Sequence, residues 1–194
     1  VPYFKVLSSK SDITIAARNI SERGPGLEGN YRKLHGGLSN IDFLYFHSDK
    51  EYKELYSDQK DKRWAFKYTD KYQLNENVKV EVDWSKASDS LVLRDISGEI
   101  TSIGSEREQY LNQNISITGE FKNLILKIEQ EKNQSLNPLL TNGYEKSPSI
   151  DLSFFKNIGN FLFRENLNIS YFKADALHGF FGIKHSNKYL SSLG

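Results

Sequence analysis

The glycine-rich segment Gly24–Gly29 is the stretch that most resembles a site for chemistry. It reads GPGLEG and matches the G-x-G-x-x-G pattern of dinucleotide-binding proteins. That pattern holds a pyrophosphate only where a helix begins directly after it, because the helix N-terminus supplies the free N–H groups. Here the chain continues to Leu34 with the alternation of a strand. We therefore interpret the glycines as the means of making a tight loop and a bent strand.

Other residues with catalytic or metal-binding chemistry are scattered along the chain. The four histidines have no metal-ligand spacing, and they are His35, His47, His178 and His185. The absence of cysteine excludes disulfides, thiolate metal sites and thiol catalysis. The carboxylates lie in charge-rich segments where solvation is the default, and no nucleophile lies beside a base. The sequence predicts a protein that is not an enzyme and needs no cofactor.

The residues after Val78 show which kind of element organises the chain. Apolar side chains alternate with polar ones in Val78, Lys79, Val80, Glu81, Val82, Asp83, Trp84 and Ser85. A period of two indicates a β-strand with one apolar face and one polar face. Such a strand suits a soluble β-sandwich, whose apolar face meets a second sheet. It equally suits a transmembrane β-barrel, whose apolar face meets lipid.

The same alternation recurs along the chain and predicts about ten strands. Besides the strand that opens at Val78, they are Val1–Leu7, Asp12–Asn19, Gly26–Leu34, Leu38–Ser48, Arg63–Leu74, Leu111–Phe121, Leu124–Lys132, Ser149–Asn157, Phe161–Lys173 and one that begins near Phe180–Lys184. Many are close to the ~9–11 residues that a tilted strand needs to cross a bilayer.

The connections between these strands decide between the two settings. Tight turns such as His35–Gly37 alternate with wider connections at 20–25, 49–62, 88–110 and 133–148. The tight turns therefore all fall at one end of the strands and the wide loops at the other, as in outer-membrane barrels, whereas a sandwich has no reason to keep this order. The sequence predicts an all-β, antiparallel up-and-down transmembrane β-barrel segment, about ten strands of a larger barrel.

Composition is compatible with that prediction. The 194 residues are 38% hydrophobic with a net charge of +1, so no overall field points to nucleic acid. No apolar run approaches the length of a spanning helix. The sequence contains no methionine and opens with no signal peptide. We therefore expect residues 1–194 to be an internal part of one outer-membrane β-barrel domain.

Three segments resemble the barrel domain of the LptD family, the lipopolysaccharide-assembly proteins of the Gram-negative outer membrane. The first is similar to R-x-x-S-x-R-G-x-x-L-x-G-x-x-R and contains Arg18, Ser21, Arg23, Gly24, Leu27, Gly29 and Arg32. The second, VDWSKASDSLVLRDI, supplies Asp83, Ser88, Asp89, Arg94 and Asp95, with Leu91 and Leu93 where aromatic residues are usual. The third is the strand pair SPSIDLSFFKNIGNFLFRENLNISYFKAD.

The resemblance implies a role that the residue pattern alone does not. It implies a barrel of about 26 strands that receives lipopolysaccharide from periplasmic bridge proteins through an N-terminal domain outside this segment. The barrel delivers the lipopolysaccharide to the outer leaflet, and a lipoprotein partner, LptE, plugs its lumen. The partners expected are thus lipopolysaccharide, LptE, the bridge proteins and outer-membrane lipid, with no nucleic acid.

Alternation also predicts where particular side chains face. The candidates for the lumen are Lys79, Glu81, Asp83, Asn114, Ser116, Thr118, Lys127, Asn168 and Ser170, although a polar face without selective contacts has the same pattern. Candidates for interfacial aromatic girdles are Trp64, Tyr68, Tyr72, Trp84, Phe154 and Phe163, with core filling in a sandwich as the alternative. Asp89, Arg94 and Asp95 are candidates for ordering a loop over the barrel mouth through a charge-assisted bond, and a surface ion pair of little energetic value is the alternative.

Two other functions remain open from the sequence alone. A porin or receptor barrel would share the strand pattern but not the segments that carry the family resemblance. A soluble β-sandwich that binds carbohydrate would share the alternation but needs a second sheet over its apolar face.

Overall fold

A computed structural model describes residues 1–104, 108–174 and 177–191, the last of these ranges by its backbone. Eleven strands form one sheet in chain order, and each strand is antiparallel to the next. The strands are β1 Tyr3–Ser8, β2 Ser11–Ile20, β3 Gly24–Leu34, β4 Leu38–Phe46, β5 Arg63–Asn75, β6 Val78–Ala87, β7 Tyr110–Phe121, β8 Leu124–Ser135, β9 Tyr144–Ile158, β10 Phe161–Ala174 and β11 Leu177–Ser191. Two short helices, α1 Lys50–Leu55 and α2 Val92–Asp95, lie in loops.

This architecture confirms the predicted fold class, an all-β antiparallel up-and-down sheet. The last strand begins at Leu177, slightly before the predicted Phe180–Lys184. In the described part of the chain, β1 and β11 are the two edges of an open sheet and do not pair with each other. The described residues include no helix that is long and apolar enough to cross a membrane.

Several predicted boundaries were wrong where polar strand residues were read as loop. Strands β8 and β9 extend to Ser135 and from Tyr144, so the connection predicted at 133–148 shrinks to residues 136–143. Cross-strand ion pairs stabilise this extension, since the Nζ of Lys146 lies 3.4 Å from Glu129 and 3.2 Å from Glu131. The loops predicted at 49–62 and 88–110 each contain a helix, α1 and α2 respectively.

The connections divide the sheet into a short-turn end and a long-loop end. The short-turn end carries the connections at residues 9–10, 35–37, 76–77, 122–123 and 159–160. The long-loop end carries those at 21–23, 47–62, 88–109 and 136–143. The predicted wide loop at 20–25 was wrong, because β3 already begins at Gly24, whose φ of 101° suits glycine, and residues 21–23 alone make the turn.

The register separates the side chains of the sheet into two faces. Directly opposed residues share a face, and a row of aliphatic residues crosses five strands: Val80, Ile117, Ile128, Ile150 and Ile169. The adjacent row on the other side is polar: Glu81, Ser116, Glu129, Ser149 and Ser170. We call these the apolar face and the polar face.

The apolar face is uncovered. Ile117 is 46% exposed and Ile128 is 43% exposed, in the middle of a continuous aliphatic row. A sandwich would cover such a row with a second sheet, whereas all described strands belong to a single sheet. The architecture therefore excludes the sandwich and leaves lipid as the environment that suits this face.

A charge placed on the apolar face should be costly. Val80→Arg is expected to destabilise the folded protein, by a cost that reaches about 2–4 kcal/mol for an arginine at the bilayer midplane, because the arginine would lie against hydrocarbon. Its neighbour provides the matched control, since Lys79 points to the polar face and Lys79→Gln should be nearly neutral. Folding titrations in lipid vesicles measure both changes, and equal costs would contradict the assignment of the faces.

Candidate functional site

The described residues of the β6–β7 loop, 88–104 and 108–109, fold back over the polar face instead of extending away from the sheet. Val92 is fully buried and Ile96 is 1% exposed. The loop and the strands form one apolar cluster, whose members are Leu44, Phe46, Ala65, Ala87, Val92, Leu93, Ile96, Ile103 and Leu111. At its long-loop end, the polar face thus carries apolar side chains. The apolar side chains of the loop are buried against them.

Arg63, at the start of β5, connects this loop to its neighbour. Its buried guanidinium lies 3.0 Å from Asp49, 2.8 Å from Asp89 and 3.0 Å from Asp95. It also stacks over the ring of Tyr52, 4.0 Å from the ring centroid. Because Asp49 and Tyr52 belong to the β4–β5 loop and the other two carboxylates to the β6–β7 loop, one arginine holds both loops.

A second arginine strengthens the same cluster. Arg23 contacts Asp49 at 2.8 Å and Glu51 at 2.9 Å. Asp49 also caps α1, since its Oδ1 accepts the backbone N–H of Tyr52 at 3.0 Å. The first two segments that resemble the LptD family therefore meet here, one through Arg23 and the other through Asp89 and Asp95.

The structure gives the predicted loop-ordering residues different surroundings. Asp89 and Asp95 both bind Arg63. Arg94 points outward with a side chain that is 62% exposed, and its Nε is 3.4 Å from Asp95, a contact of the kind that contributes little to stability. Arg63 was not among the predicted site residues, because it directly follows the charged run that contains Lys60 and Lys62 and nothing local distinguishes it.

Burial and hydrogen bonding act in opposite directions on the carboxylates of this cluster. Burial raises the pKa of Asp49, but hydrogen bonds from the Tyr52 backbone, Arg63 and Arg23 outweigh it and bring the pKa below its usual value. Burial likewise raises the pKa of Asp89, and hydrogen bonds from Arg63 and Ser88 reverse the shift. Both groups favour the ionised form in the folded state.

Acid should therefore open the two loops. A carboxyl whose pKa is lowered by folding stabilises the fold above its unfolded pKa and loses that contribution as the pH falls through the folded value. We expect amide hydrogen exchange in the α1 and α2 segments, corrected for its intrinsic pH dependence, to accelerate below about pH 4. Stronger protection of these amides at pH 3 than at pH 6 would contradict the assignment.

Glu28, on β3, anchors the far side of the β6–β7 loop. Its fully buried Oε1 accepts the N–H groups of Glu99, Ile100 and Thr101 at 2.8–2.9 Å and the Thr101 hydroxyl at 2.8 Å. Arg18 lies 3.5 Å from Oε2 of Glu28. The loop thus crosses the polar face from β6 to β3. From the sequence, Glu28 was considered only as part of the glycine motif, and this role was not predicted.

The glycine motif has a packing function in the structure. The ring of Phe46, on the neighbouring strand, lies over Gly26, and a Cβ there would be 2.5 Å from the ring. The ring of Phe43 covers Gly29 in the same way on the opposite face, with a Cβ contact of 2.4 Å. The segment is a strand with no helix after it, as predicted, and so it offers no site for a pyrophosphate.

Seven of the nine lumen candidates, those on β6, β7 and β8, share the polar face. Their register gives the rows Lys79–Thr118–Lys127, Glu81–Ser116 and Asp83–Asn114. Polar contacts link several of them to neighbours: Glu129 is 2.8 Å from Asn114 and 2.7 Å from Lys127. Charges on this face are largely paired, so it forms a hydrated wall without a strong field of one sign.

Farther along β9 and β10, the two remaining candidates, Asn168 and Ser170, belong to a similar network. Asn168 donates to Asp151 at 2.5 Å, and the hydroxyls of Ser149 and Ser170 are 2.8 Å apart. Because these side chains satisfy one another, the network stabilises the strand pairing.

The predicted girdle residues occupy the apolar face at several heights. Trp64 lies at the long-loop end and Tyr72 at the short-turn end, while Tyr68 opposes Trp84 between them. Phe154 and Phe163 lie near the 159–160 turn with ring centroids 6.3 Å apart. The arrangement is compatible with two belts but includes aromatic residues between them.

One histidine lies beside a serine and an aspartate, as in hydrolases. His35 contacts the hydroxyl of Ser39, and its Nε2 is 3.3 Å from Asp70. The same ring nitrogen faces both partners, whereas a triad needs one nitrogen for each. Nor do the residues with described side chains include three His, Asp or Glu groups placed to hold a metal ion.

A single antiparallel sheet with one lipid-compatible face, one hydrated face and an infolded loop defines the class of up-and-down outer-membrane β-barrel proteins. The family model described as "LptD: LPS transport system D" matches residues 61–179. The chain belongs to this family, which serves lipopolysaccharide transport and is not a family of enzymes.

Named relatives agree with the family assignment. The chain is 26% identical over 160 residues to the LPS-assembly protein LptD of Salmonella paratyphi A, covering 81% of this chain and 20% of the relative. It is 24% identical over 152 residues to that of Ectopseudomonas mendocina, covering 78% and 16%. The chain thus spans about a fifth or less of these relatives. Among solved structures, the outer membrane channel DcaP of Acinetobacter baumannii aligns with 97% of this chain and 61% of that chain at 9% identity and a TM-score of 0.41.

Proposed function

We propose that this chain is part of the outer-membrane translocon that inserts lipopolysaccharide into the outer leaflet of the Gram-negative outer membrane. Membership of the LptD family, through a match over residues 61–179, is the observation that carries the proposal. The division of the sheet into an apolar and a polar face supports it, since a barrel wall must meet lipid on one side and water on the other.

In this proposal, residues 1–194 form part of one barrel domain, with the long-loop end outside the cell. The polar face, including Lys79, Glu81, Asp83, Asn114, Ser116, Thr118 and Lys127, lines the lumen. Its paired charges suit contact with a sugar-rich head group or with the lipoprotein plug LptE, because neither requires a field of one sign. The periplasmic bridge proteins reach the barrel through the N-terminal domain of the full-length protein.

Depletion of the full-length protein that contains this segment tests the proposal. We expect newly made lipopolysaccharide to disappear from the cell surface, measured by antibody labelling, and to accumulate in the inner-membrane fraction. An outer-membrane porin followed in the same cells is the control and should still be inserted early in the depletion. Unchanged surface lipopolysaccharide, with lost uptake of a small solute instead, would show a porin and contradict the proposal.

Photo-crosslinking in the same full-length protein tests which face of the sheet lines the lumen. A photoreactive residue at Ser116, on the polar face, should crosslink to lipopolysaccharide or to LptE. The same residue at Ile117, on the apolar face, is the matched control and should crosslink to membrane lipid. Identical products from the two positions would contradict the lumenal assignment.

A further inference from the structure

We propose that a cavity at the long-loop end binds a phosphorylated sugar head group. The cavity has a volume of about 420 Å³ and lies between the β4–β5 loop and the start of the β6–β7 loop. Its walls include Tyr52, Gln59, Lys60, Lys62, Trp64 and Ser88. This volume falls within the range of small-molecule sites. The inference rests on the proposed function, which places this end of the strands at the outer leaflet.

The cavity carries positive charge that the protein does not neutralise. Lys60 and Lys62 are exposed, and neither makes an ion pair within the part of the chain that the structure describes. Of the two acids in the lining, Asp89 is already paired with Arg63. Asp58 is exposed. Two free ammonium groups against one free carboxylate favour an anionic ligand, and a lysine binds phosphate as a point charge.

Trp64 gives the cavity an aromatic wall at the membrane interface. Strand alternation puts it on the apolar face, opposite Tyr45 of β4, at the long-loop end. Tryptophan and tyrosine in this position lie at the level of lipid head groups. An indole offers a flat apolar surface with an N–H group at its edge. That surface suits the C–H face of a sugar ring, which neither inorganic phosphate nor a peptide presents.

The combination defines the chemistry of the ligand. The lysines select for phosphate, Trp64 for a sugar ring, and the side-chain amide of Gln59 adds a donor and an acceptor for hydroxyl groups. A phosphorylated sugar meets all three requirements. Its source is either a lipid of the outer leaflet or a soluble sugar phosphate, and the two share this head group.

Binding of a defined probe tests the site. The probe is a water-soluble glucosamine disaccharide that carries one phosphate, titrated into the full-length protein purified in detergent. We expect the double variant Lys60→Gln/Lys62→Gln to weaken binding by about tenfold or more, as expected for two interfacial cations. The matched control, Lys122→Gln/Lys156→Gln, removes two exposed lysines from the short-turn end and should leave binding unchanged.

Three further measurements distinguish the two sources of the ligand from each other and from binding by charge alone. Trp64→Leu should weaken binding of the dephosphorylated disaccharide as well, whereas the lysine variant should not. Retention of lipopolysaccharide during purification, lost in the lysine variant, identifies the outer-leaflet lipid as the source, and its absence identifies a soluble sugar phosphate. Equal binding of short-chain phosphatidylglycerol or inorganic phosphate would overturn the proposal, because charge alone would then suffice. No binding of the disaccharide by the wild type, in a protein that still delivers lipopolysaccharide, would overturn the site and leave the proposed function standing.

Discussion

Replacement of Arg63 by methionine is expected to release both the β4–β5 loop and the β6–β7 loop. The side chain is fully buried and contacts three carboxylates, of which Asp49 is itself fully buried. Removal of one partner leaves uncompensated charge in a site with little water, which costs about 3–5 kcal/mol. The population of open loops should therefore rise roughly a hundredfold or more. Hydrogen exchange of the amides of Glu99, Ile100 and Thr101 measures that population.

Arg94→Met is the matched control for this prediction. Arg94 lies on the same loop with a side chain that is 62% exposed and a single distant contact to Asp95. Loss of such a surface contact costs at most about 1 kcal/mol. Equal exchange rates in the two variants, or unchanged exchange in Arg63→Met, would show that the loop is held by its apolar contacts alone.

Truncation of Phe46 to alanine should have a comparable effect by a different route. Phe46 is fully buried in the cluster between the sheet and the β6–β7 loop, and its ring covers Gly26. Because Gly26 has no side chain to fill the space, the cavity should persist and cost about 3–5 kcal/mol. Urea titration of the protein in lipid vesicles and tryptic cleavage of the loop after Arg94 measure the loss.

The exposed residue beside Gly26 supplies the comparison. Leu27 is 39% exposed on the apolar face, so Leu27→Ala leaves the cluster intact and should not increase cleavage of the loop. Cleavage that is equal in the two variants would indicate a general loss of stability of the sheet and not the loss of this particular packing.

Strand positions and faces were predictable because the alternation of adjacent apolar and polar residues determines them. The alternation from Val78 to Trp84 defined a strand with two unlike faces, and the register places the aliphatic row where that alternation predicted it. The ends of β8 and β9 were less predictable, because Lys146 lies in a polar segment and its partners Glu129 and Glu131 are on the neighbouring strand. A polar segment whose cross-strand partners are not known has the sequence pattern of a loop.

The contacts that hold the loops could not be predicted from the sequence. Arg63 binds Asp89 across 26 residues and Asp95 across 32, and Glu28 binds Thr101 across 73. A local pattern predicts which face of the sheet a charged residue lies on, but it does not predict the residue's ion-pair partner. Arg63, within a charged segment, therefore looked no different from Lys60 or Lys62. Asp89 and Asp95 were predicted through a family resemblance, but their common partner was not.

The sequence by itself determined the sheet: its strand type, its two faces and the tight turns at its short-turn end. These features depend on the two-residue period of the strand and on turn residues such as Gly36, which act over a few positions. The tertiary structure alone decided that the β6–β7 loop lies on the polar face and that Arg63 and Glu28 hold it there. Burial of charge and of apolar area depends on groups that are distant in the chain and meet only when the sheet has formed.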